Sequence, residues 1–177
     1  MLHLRHLRPK LCNLQLHDKS AATVPGFDAK DMILDILNNP TCMSQSIFAE
    51  GYNVFTGDVD NNHPSNLNYG EIHTGDEWIP ARDHYCQSGN DMPVGIIIFG
   101  DKSHTDLHGA LALTPIIFTL SFFNEKCRNN HKFWRVLGYV PNLSYGKNKS
   151  NKTPTVNKVQ DEHNCLSCVF ESIRQIH

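Results

Sequence analysis

Three closely spaced apolar runs in the second half of the sequence constrain the fold more than any other feature. They cover residues 94–99 (VGIIIF), 114–123 (TPIIFTLSFF) and 133–140 (FWRVLGYV). β-Branched and aromatic residues, which favour strands, dominate all three. The segments that join the runs are short, and short connections favour antiparallel pairing over parallel crossovers. The sequence therefore predicts an antiparallel three-stranded sheet, and the first run is typical of a strand buried on both faces.

Two segments have the apolar spacing of amphipathic helices. The first covers residues 28–38, where Asp28 is the predicted N-cap because its carboxylate can accept hydrogen bonds from free backbone N–H groups. The second covers residues 161–176, where apolar residues share one side and Asp161 and Glu162 suit the positive N-terminal end. Together with the strands, these helices predict an α+β fold with a C-terminal helix.

The first half of the chain has weaker patterning, and the sequence divides into three regions. Residues 1–50 are predicted to form an N-terminal arm without regular structure, followed by the first helix. Residues 51–92 are rich in Gly, Asn, Asp and Pro, which favour turns, and contain scattered aromatic residues. They are predicted to be one long irregular segment. Residues 93–177 hold the predicted sheet and the C-terminal helix.

Composition argues against several classes of protein. A chain of 177 residues can build one domain with a core, and its net charge of −2 gives no global basic field for nucleic acid. No stretch approaches the ~20 apolar residues of a membrane helix, and no secretory signal peptide is recognisable. We therefore predict a nuclear or cytoplasmic protein that is neither secreted nor bound to a membrane. Its six cysteines are then expected to be reduced thiols.

Two short motifs contain residue types that bind metals. His104, Asp106 and His108 form H-x-D-x-H, in which alternate positions of an extended segment point to one side. Cys165 and Cys168 form C-x-x-C, but a structural zinc site normally needs four ligands. For both motifs we favour the structural interpretation, which is a solvated loop for the first and helix packing for the second.

One acid and one basic stretch are the remaining candidates for function. Asp101 follows the first predicted strand after Gly100, and a carboxylate fixed at the end of a strand commonly holds a divalent cation. The alternative for Asp101 is an acid in an ordinary turn. Residues 141–160 carry basic side chains without an acid, and such a loop can contact phosphate. The candidate nucleic-acid-binding residues in it are Lys147, Lys149, Lys152 and Lys158.

Three pieces of the sequence carry a resemblance to a known family. They are GDKS at residues 100–103, TPIIFTLSFFN at 114–124 and VLGYVP at 136–141. With these pieces, residues 94–142 resemble transposase-like proteins of the Plavaka type, within the Kyakuja–Dileera–Zisupton superfamily of eukaryotic transposons. The resemblance implies an RNase H-like core that begins with three antiparallel strands. It also implies that Asp101 is the first ligand of catalytic Mg²⁺ or Mn²⁺, and that the partner is DNA.

The sequence departs from that family in its acids. The implied mechanism needs further carboxylates on later strands, around two ions ~3.5–4 Å apart. The predicted C-terminal helix follows before such a strand is recognisable, and Asp106, Asp161 and Glu162 cannot be mapped onto the missing positions. We therefore expect residues 93–177 to be a partial RNase H-like domain in a fragment of a DDE-type transposase that is inactive alone. A non-catalytic α+β binding module and a transposon remnant without function remain as alternatives.

Overall fold

The protein is described by a computed structural model over residues 8–46, 72, 77–88, 91, 93–104, 112–143 and 155–176. In these ranges the strands are β1 (Lys10–Gln15), β2 (Ala21–Gly26), β3 (Ile96–Gly100), β4 (Ser103–His104), β5 (Ala112–Leu120) and β6 (Arg135–Pro141). The helices are α1 (Ala29–Leu37), α2 (Pro40–Met43), α3 (Trp78–Tyr85), α4 (Glu125–Arg128) and α5 (Thr155–Arg174). A short 3-10 turn covers His131–Phe133. No helix in the described ranges is both long and apolar enough to cross a lipid bilayer.

The strands form one antiparallel sheet, and α5 follows it in the chain. Five strands lie in the order β1–β2–β6–β5–β3, and the two-residue β4 pairs with β5 outside this path. The predicted α+β class, the antiparallel sheet and the C-terminal helix are therefore confirmed. The predicted number of three strands is wrong, because the N-terminal part of the chain adds two strands beside β6.

These two added strands form a hairpin in the region predicted to be an irregular arm. Lys10 pairs with Gly26 at one end of the ladder, and Gln15 pairs with Ala21 at the other. The turn is closed by Asp18, whose carboxylate accepts hydrogen bonds from the backbone N–H and the hydroxyl of Ser20. These bonds lower the pKa of Asp18. The prediction of an irregular N-terminal arm is wrong here, because the turn and the ladder satisfy the backbone of this segment.

The first of the three predicted strands is at the edge of the sheet and not at its centre. β3 is the last strand of the path, and the side chains of Ile98 and Phe99 are 44% and 53% exposed. By contrast, Leu120 at the end of β5 and Leu137 in β6 are fully buried. The prediction that the first run is buried on both faces is therefore wrong, because adjacent residues of a strand point to opposite faces and both Ile98 and Phe99 are exposed.

The chain divides into two compact units. The first unit consists of Met1–Asp35, Ile98–Ile117 and Arg135–His177. Its core includes Val24 of β2, Leu137 of β6 and Val169 of α5, each no more than 1% exposed. These elements approach closely at Gly138, where a Cβ would lie 2.8 Å from the carbonyl oxygen of Pro25.

The second unit consists of Ile36–Ile97 and Phe118–Trp134. Its core contains aromatic side chains, and the ring centroids of Phe123 and Phe133 lie 4.8 Å apart. Asparagine side chains cap its short helices, since Asn39 accepts backbone hydrogen bonds at the start of α2 and Asn124 does so at the start of α4. Helix α3 lies within the segment 51–92, which was predicted to be irregular throughout.

Both predicted helices are present in the structure. The predicted start is correct for one helix and wrong for the other. Asp28 caps α1 as predicted, and its Oδ1 accepts hydrogen bonds from the backbone N–H of Lys30 at 3.0 Å and of Asp31 at 3.4 Å. Helix α5 begins at Thr155 and not at residue 161. Asp161 therefore lies inside the helix, where it is 1% exposed, instead of at the N-terminal end.

Candidate functional site

Asp101, the predicted metal ligand, lies directly after β3 in the turn that leads into β4, and its side chain is exposed. Gly100 ends β3 and lies close to β5, because a Cβ there would lie 2.8 Å from Cδ1 of Ile116, at the tip of that side chain. The start of this turn therefore packs directly on β5, and the carboxyl group of Asp101 faces solvent.

A cavity of about 260 Å³ lies beside Lys102, the residue that follows Asp101. Lys102 Nζ donates a hydrogen bond to Oδ1 of Asn142 at 3.3 Å, and Glu162 of α5 also lines the cavity. Asp101 is not among the lining residues. The predicted ligand therefore lies next to this cavity in the sequence and contributes no surface to it.

The described residues do not fit the two-ion site that the family resemblance implies. Within the described ranges, no group of three or more His, Cys, Asp or Glu side chains is arranged to hold a metal ion. Mg²⁺ and Mn²⁺ need several oxygen ligands, and two-ion chemistry on phosphodiesters needs several carboxylates. Asp101 supplies one, and no reaction step through a metal follows from it.

Most of the other predicted site residues lie outside the described ranges. Lys158 lies on α5 and is half-buried, whereas Lys147, Lys149 and Lys152 are not described. In the H-x-D-x-H motif, His104 ends β4, and the other two residues are likewise outside the described ranges. The position of Asp101 relative to Lys147, Lys149, Lys152, Asp106 and His108 therefore lies outside the described residues.

The two cysteines of the C-x-x-C motif have different environments. Cys168 forms a disulfide with Cys12 of β1, and the two Cα atoms lie 6.4 Å apart, within the range that disulfides adopt. Cys165 is a free thiol that is fully buried. Burial raises the pKa of Cys165, and the charges of Asp161 and Glu162 raise it further. The expectation of six reduced thiols is therefore wrong for Cys12 and Cys168.

This disulfide lies on the wall of the larger cavity, an open groove of about 550 Å³ between the N-terminal hairpin and α5. The hairpin contributes Lys10, Leu11 and Leu14, and α5 contributes polar side chains that include Ser167 and Glu171. Lys10 Nζ is paired at 2.9 Å with Asp28, whose side chain is 31% exposed. The volume falls in the range of small-molecule sites, and the lining mixes apolar side chains with hydrogen-bonding groups.

The turn of the hairpin is attached to α5 by a histidine–aspartate pair. His17 Nδ1 lies 2.7 Å from Oδ1 of Asp161, and the backbone N–H of His17 also donates to this carboxylate. Asp161 is buried, whereas the side chain of His17 is 40% exposed. A buried carboxylate needs such partners, because leaving a buried charge without hydrogen bonds costs several kcal/mol. The pair therefore fixes the turn against the helix.

Comparison with known proteins found no matching family model, no matching curated protein and no matching solved structure.

Sequence reasoning missed the groove, the disulfide and the histidine–aspartate pair. Cys12 and Cys168 are separated by 156 positions, and their pairing leaves no local signal. A signal for the buried acid does exist, because Asp161, Cys165 and Val169 repeat at intervals of four residues. All three are buried on α5, so this stripe places the aspartate on the inner face of the helix.

Proposed function

We propose that this chain supplies the antiparallel part of an RNase H-like core in a transposon-derived DDE-type transposase, and that it does not cut or join DNA alone. The order of three strands carries this proposal. β3, β5 and β6 occur in this order along the chain, with the two-residue β4 between β3 and β5, and β5 lies between the other two in the sheet. Asp101 follows directly after the outermost of the three, as expected for the first carboxylate of such a core.

The outer edge of β3, which has no neighbouring strand among the described residues, also supports the proposal. β3 is the last strand of the path, and Ile98 and Phe99 are exposed there. A sheet edge of this kind can accept a further strand through its free backbone groups. In the assembled core, Asp101 would be the first ligand of Mg²⁺ or Mn²⁺. The remaining carboxylates would come from a segment outside the described residues or from another chain.

Paramagnetic relaxation by Mn²⁺ tests the assignment of Asp101. Titrating MnCl₂ into ¹⁵N-labelled protein should broaden the amide signals of residues 100–102, and Asp101→Asn should abolish that broadening. Asp91→Asn is the matched control, because Asp91 is another exposed acid outside the sheet, and it should leave the broadening unchanged. Equal broadening at residues 100–102 with and without the Asp101 carboxylate would refute the assignment.

A second candidate function is a non-catalytic α+β binding module, and the groove of about 550 Å³ favours it. Its nucleic-acid version assigns phosphate contacts to the basic stretch, of which Lys158 is described. If Lys158 contacts a phosphate, Lys158→Gln should reduce the slope of log K against log [salt] by about 1. A DNA affinity that survives Asp101→Asn but weakens in Lys158→Gln would favour this module over the transposase core.

A further inference from the structure

We infer that the Cys12–Cys168 disulfide is a thiol-exchange site, which peptide-like thiols of low molecular weight reach through the groove and whose opening releases β1 from α5.

Access distinguishes this cysteine pair from most other cysteines in the chain. Cys12 and Cys168 are both half-buried, and both line the open groove of about 550 Å³. Cys42, Cys127 and Cys165 are buried and take no part in a disulfide. Exchange requires a thiolate to approach a disulfide sulfur, so access is a first condition for reaction. The groove supplies that access to the disulfide alone among these sites.

The chemistry of the groove suits a thiol that carries amides and carboxylates. Lys10 lies on its wall, and the ammonium group attracts a carboxylate even though it is paired with Asp28. On the opposite wall, α5 presents the amides of Asn164 and Gln175 and the hydroxyl of Ser167, which can hydrogen-bond peptide groups. A tripeptide-sized thiol fits a site of this volume.

Reduction of the disulfide needs no reactant other than two small thiols. A thiolate attacks Sγ of Cys168, a sulfur–sulfur bond to the incoming thiol forms, and the bond to Cys12 breaks. Cys12 leaves with the electron pair as a thiolate and takes a proton from solvent. A second thiolate then attacks the sulfur of the bound thiol, so that the small disulfide departs and Cys168 becomes a thiolate. Two small thiols are oxidised and one protein disulfide is reduced.

Cys165 does not compete in this exchange, although it lies three residues before Cys168 on α5. It is fully buried, and burial together with the two neighbouring acids raises the pKa of its thiol. A protonated thiol is a poor nucleophile. The mixed disulfide at Cys168 is therefore resolved either by the Cys12 thiolate, which re-forms the original disulfide and releases the small thiol, or by a second small thiol, which completes the reduction.

Opening the disulfide removes the covalent attachment between β1 and α5. β1 is the first strand of the sheet path and pairs with β2. The His17–Asp161 pair holds the turn to the helix, and β2 remains packed on α5 through the core that contains Val24 and Val169. After reduction, the turn remains attached to the helix, and the opposite end of β1, which the ladder to β2 and the exposed Lys10–Asp28 pair hold, loses its covalent link to α5. The groove wall formed by β1 then becomes mobile.

Alkylation and hydrogen exchange on the full-length oxidised protein test this inference. Reduced glutathione at 1–10 mM, which spans about one decade of reductant, should make Cys12 and Cys168 reactive to N-ethylmaleimide while the three buried thiols stay unlabelled. Amide exchange in β1 should then accelerate at least about tenfold, with β6 unchanged. Cys12→Ser/Cys168→Ser should show the fast β1 exchange without glutathione, and Cys86→Ser should respond as the wild type does.

Three outcomes would overturn the inference. The first is labelling of Cys12 and Cys168 only together with the buried thiols, which would mean that exchange requires global unfolding. The second is unchanged β1 exchange after reduction, which can be read from the reduced wild type even if the double variant does not fold. The third is full labelling of both cysteines in air-oxidised folded protein. Lys10→Gln tests the ligand class. It should lower the rate of reduction by glutathione about threefold, because glutathione carries carboxylates, and leave the rate with uncharged 2-mercaptoethanol unchanged.

Discussion

Replacing Gly138 with alanine tests the tightest packing of the first unit. A Cβ at this position would lie 2.8 Å from the carbonyl oxygen of Pro25 and 3.0 Å from both methyl carbons of Val169. The carbonyl belongs to the backbone of β2, and Val169 is 1% exposed on α5. Relief of these contacts therefore requires a strand or a helix to shift, and the substitution should destabilise the fold.

The magnitude follows from comparison with Gly26, which pairs with Gly138 between β2 and β6. A Cβ at Gly26 would meet only the carbonyl oxygen of Leu137, at an ordinary 3.7 Å. Both substitutions gain about 0.4–1 kcal/mol by restricting the unfolded chain, whereas overpacking at Gly138 costs about 1–3 kcal/mol. We expect Gly26→Ala to match or slightly exceed wild-type stability and Gly138→Ala to lose about 1–2 kcal/mol net.

Urea denaturation followed by circular dichroism measures this difference in the free energy of unfolding. In thermal melts, the Tm should fall by about 2–4 °C for each kcal/mol lost. Val169→Ala in the Gly138→Ala background removes two of the three close contacts. The double variant should therefore be less destabilised than the sum of the single variants by about 1 kcal/mol. Equal stabilities of Gly138→Ala and Gly26→Ala, or strict additivity with Val169→Ala, would refute the packing argument.

Two further predictions concern charged groups. Asp28→Ala should cost about 1 kcal/mol because α1 loses its N-cap, whereas Asp28→Asn should keep the cap. The hydrogen bond from Lys10 lowers the pKa of Asp28 in the folded protein. The charged carboxylate therefore stabilises the fold above the unfolded pKa, and this contribution is lost as the pH falls through the folded pKa. Asp28→Asn should remove this acid dependence from the free energy of unfolding measured by urea denaturation. Arg135 Nε lies 2.5 Å from Oδ2 of Asp35, and both side chains are mostly buried, so Arg135→Gln should lower the free energy of unfolding by about 1–3 kcal/mol. Arg174 pairs with Glu171 at the surface, so Arg174→Gln should change it by no more than about 0.5 kcal/mol. Similar losses of stability in thermal melts of the two variants would contradict this.

The local patterns of the sequence predicted the elements that depend on local chemistry. The run of isoleucines before Gly100 became β3, and the carboxylate of Asp28 caps α1 as expected. The hairpin had a signal that was missed, because Cys12 and Leu14 of β1 and Leu16 directly after it alternate with exposed residues. This alternation is the period of a strand with one face inward. This alternation of cysteine and leucine with polar residues is a weaker signal for a strand than the continuous apolar runs later in the sequence.

The candidate sites depended on long-range partners, which a single sequence does not specify. β3 is exposed because the hairpin occupies the far side of β6 and leaves β3 at the end of the path. Asp161 was assigned to a helix terminus because the segment before it is polar, yet α5 extends back to Thr155 and places this carboxylate against His17. For β3 local propensity was correct and tertiary pairing decided exposure, whereas for α5 the predicted start was wrong and the pairing with His17 accounts for the burial of Asp161.

The link between β1 and α5 has a mechanical consequence. Cys12 and Cys168 are separated by 156 positions, so a pulling force applied outside them passes through one covalent bond and bypasses the sheet and the helices between them. In a single-molecule stretching experiment, the oxidised chain should extend only through its short flanks. Adding a reductant under load should release about 500 Å of additional contour length, at ~3.3–3.6 Å for each freed residue.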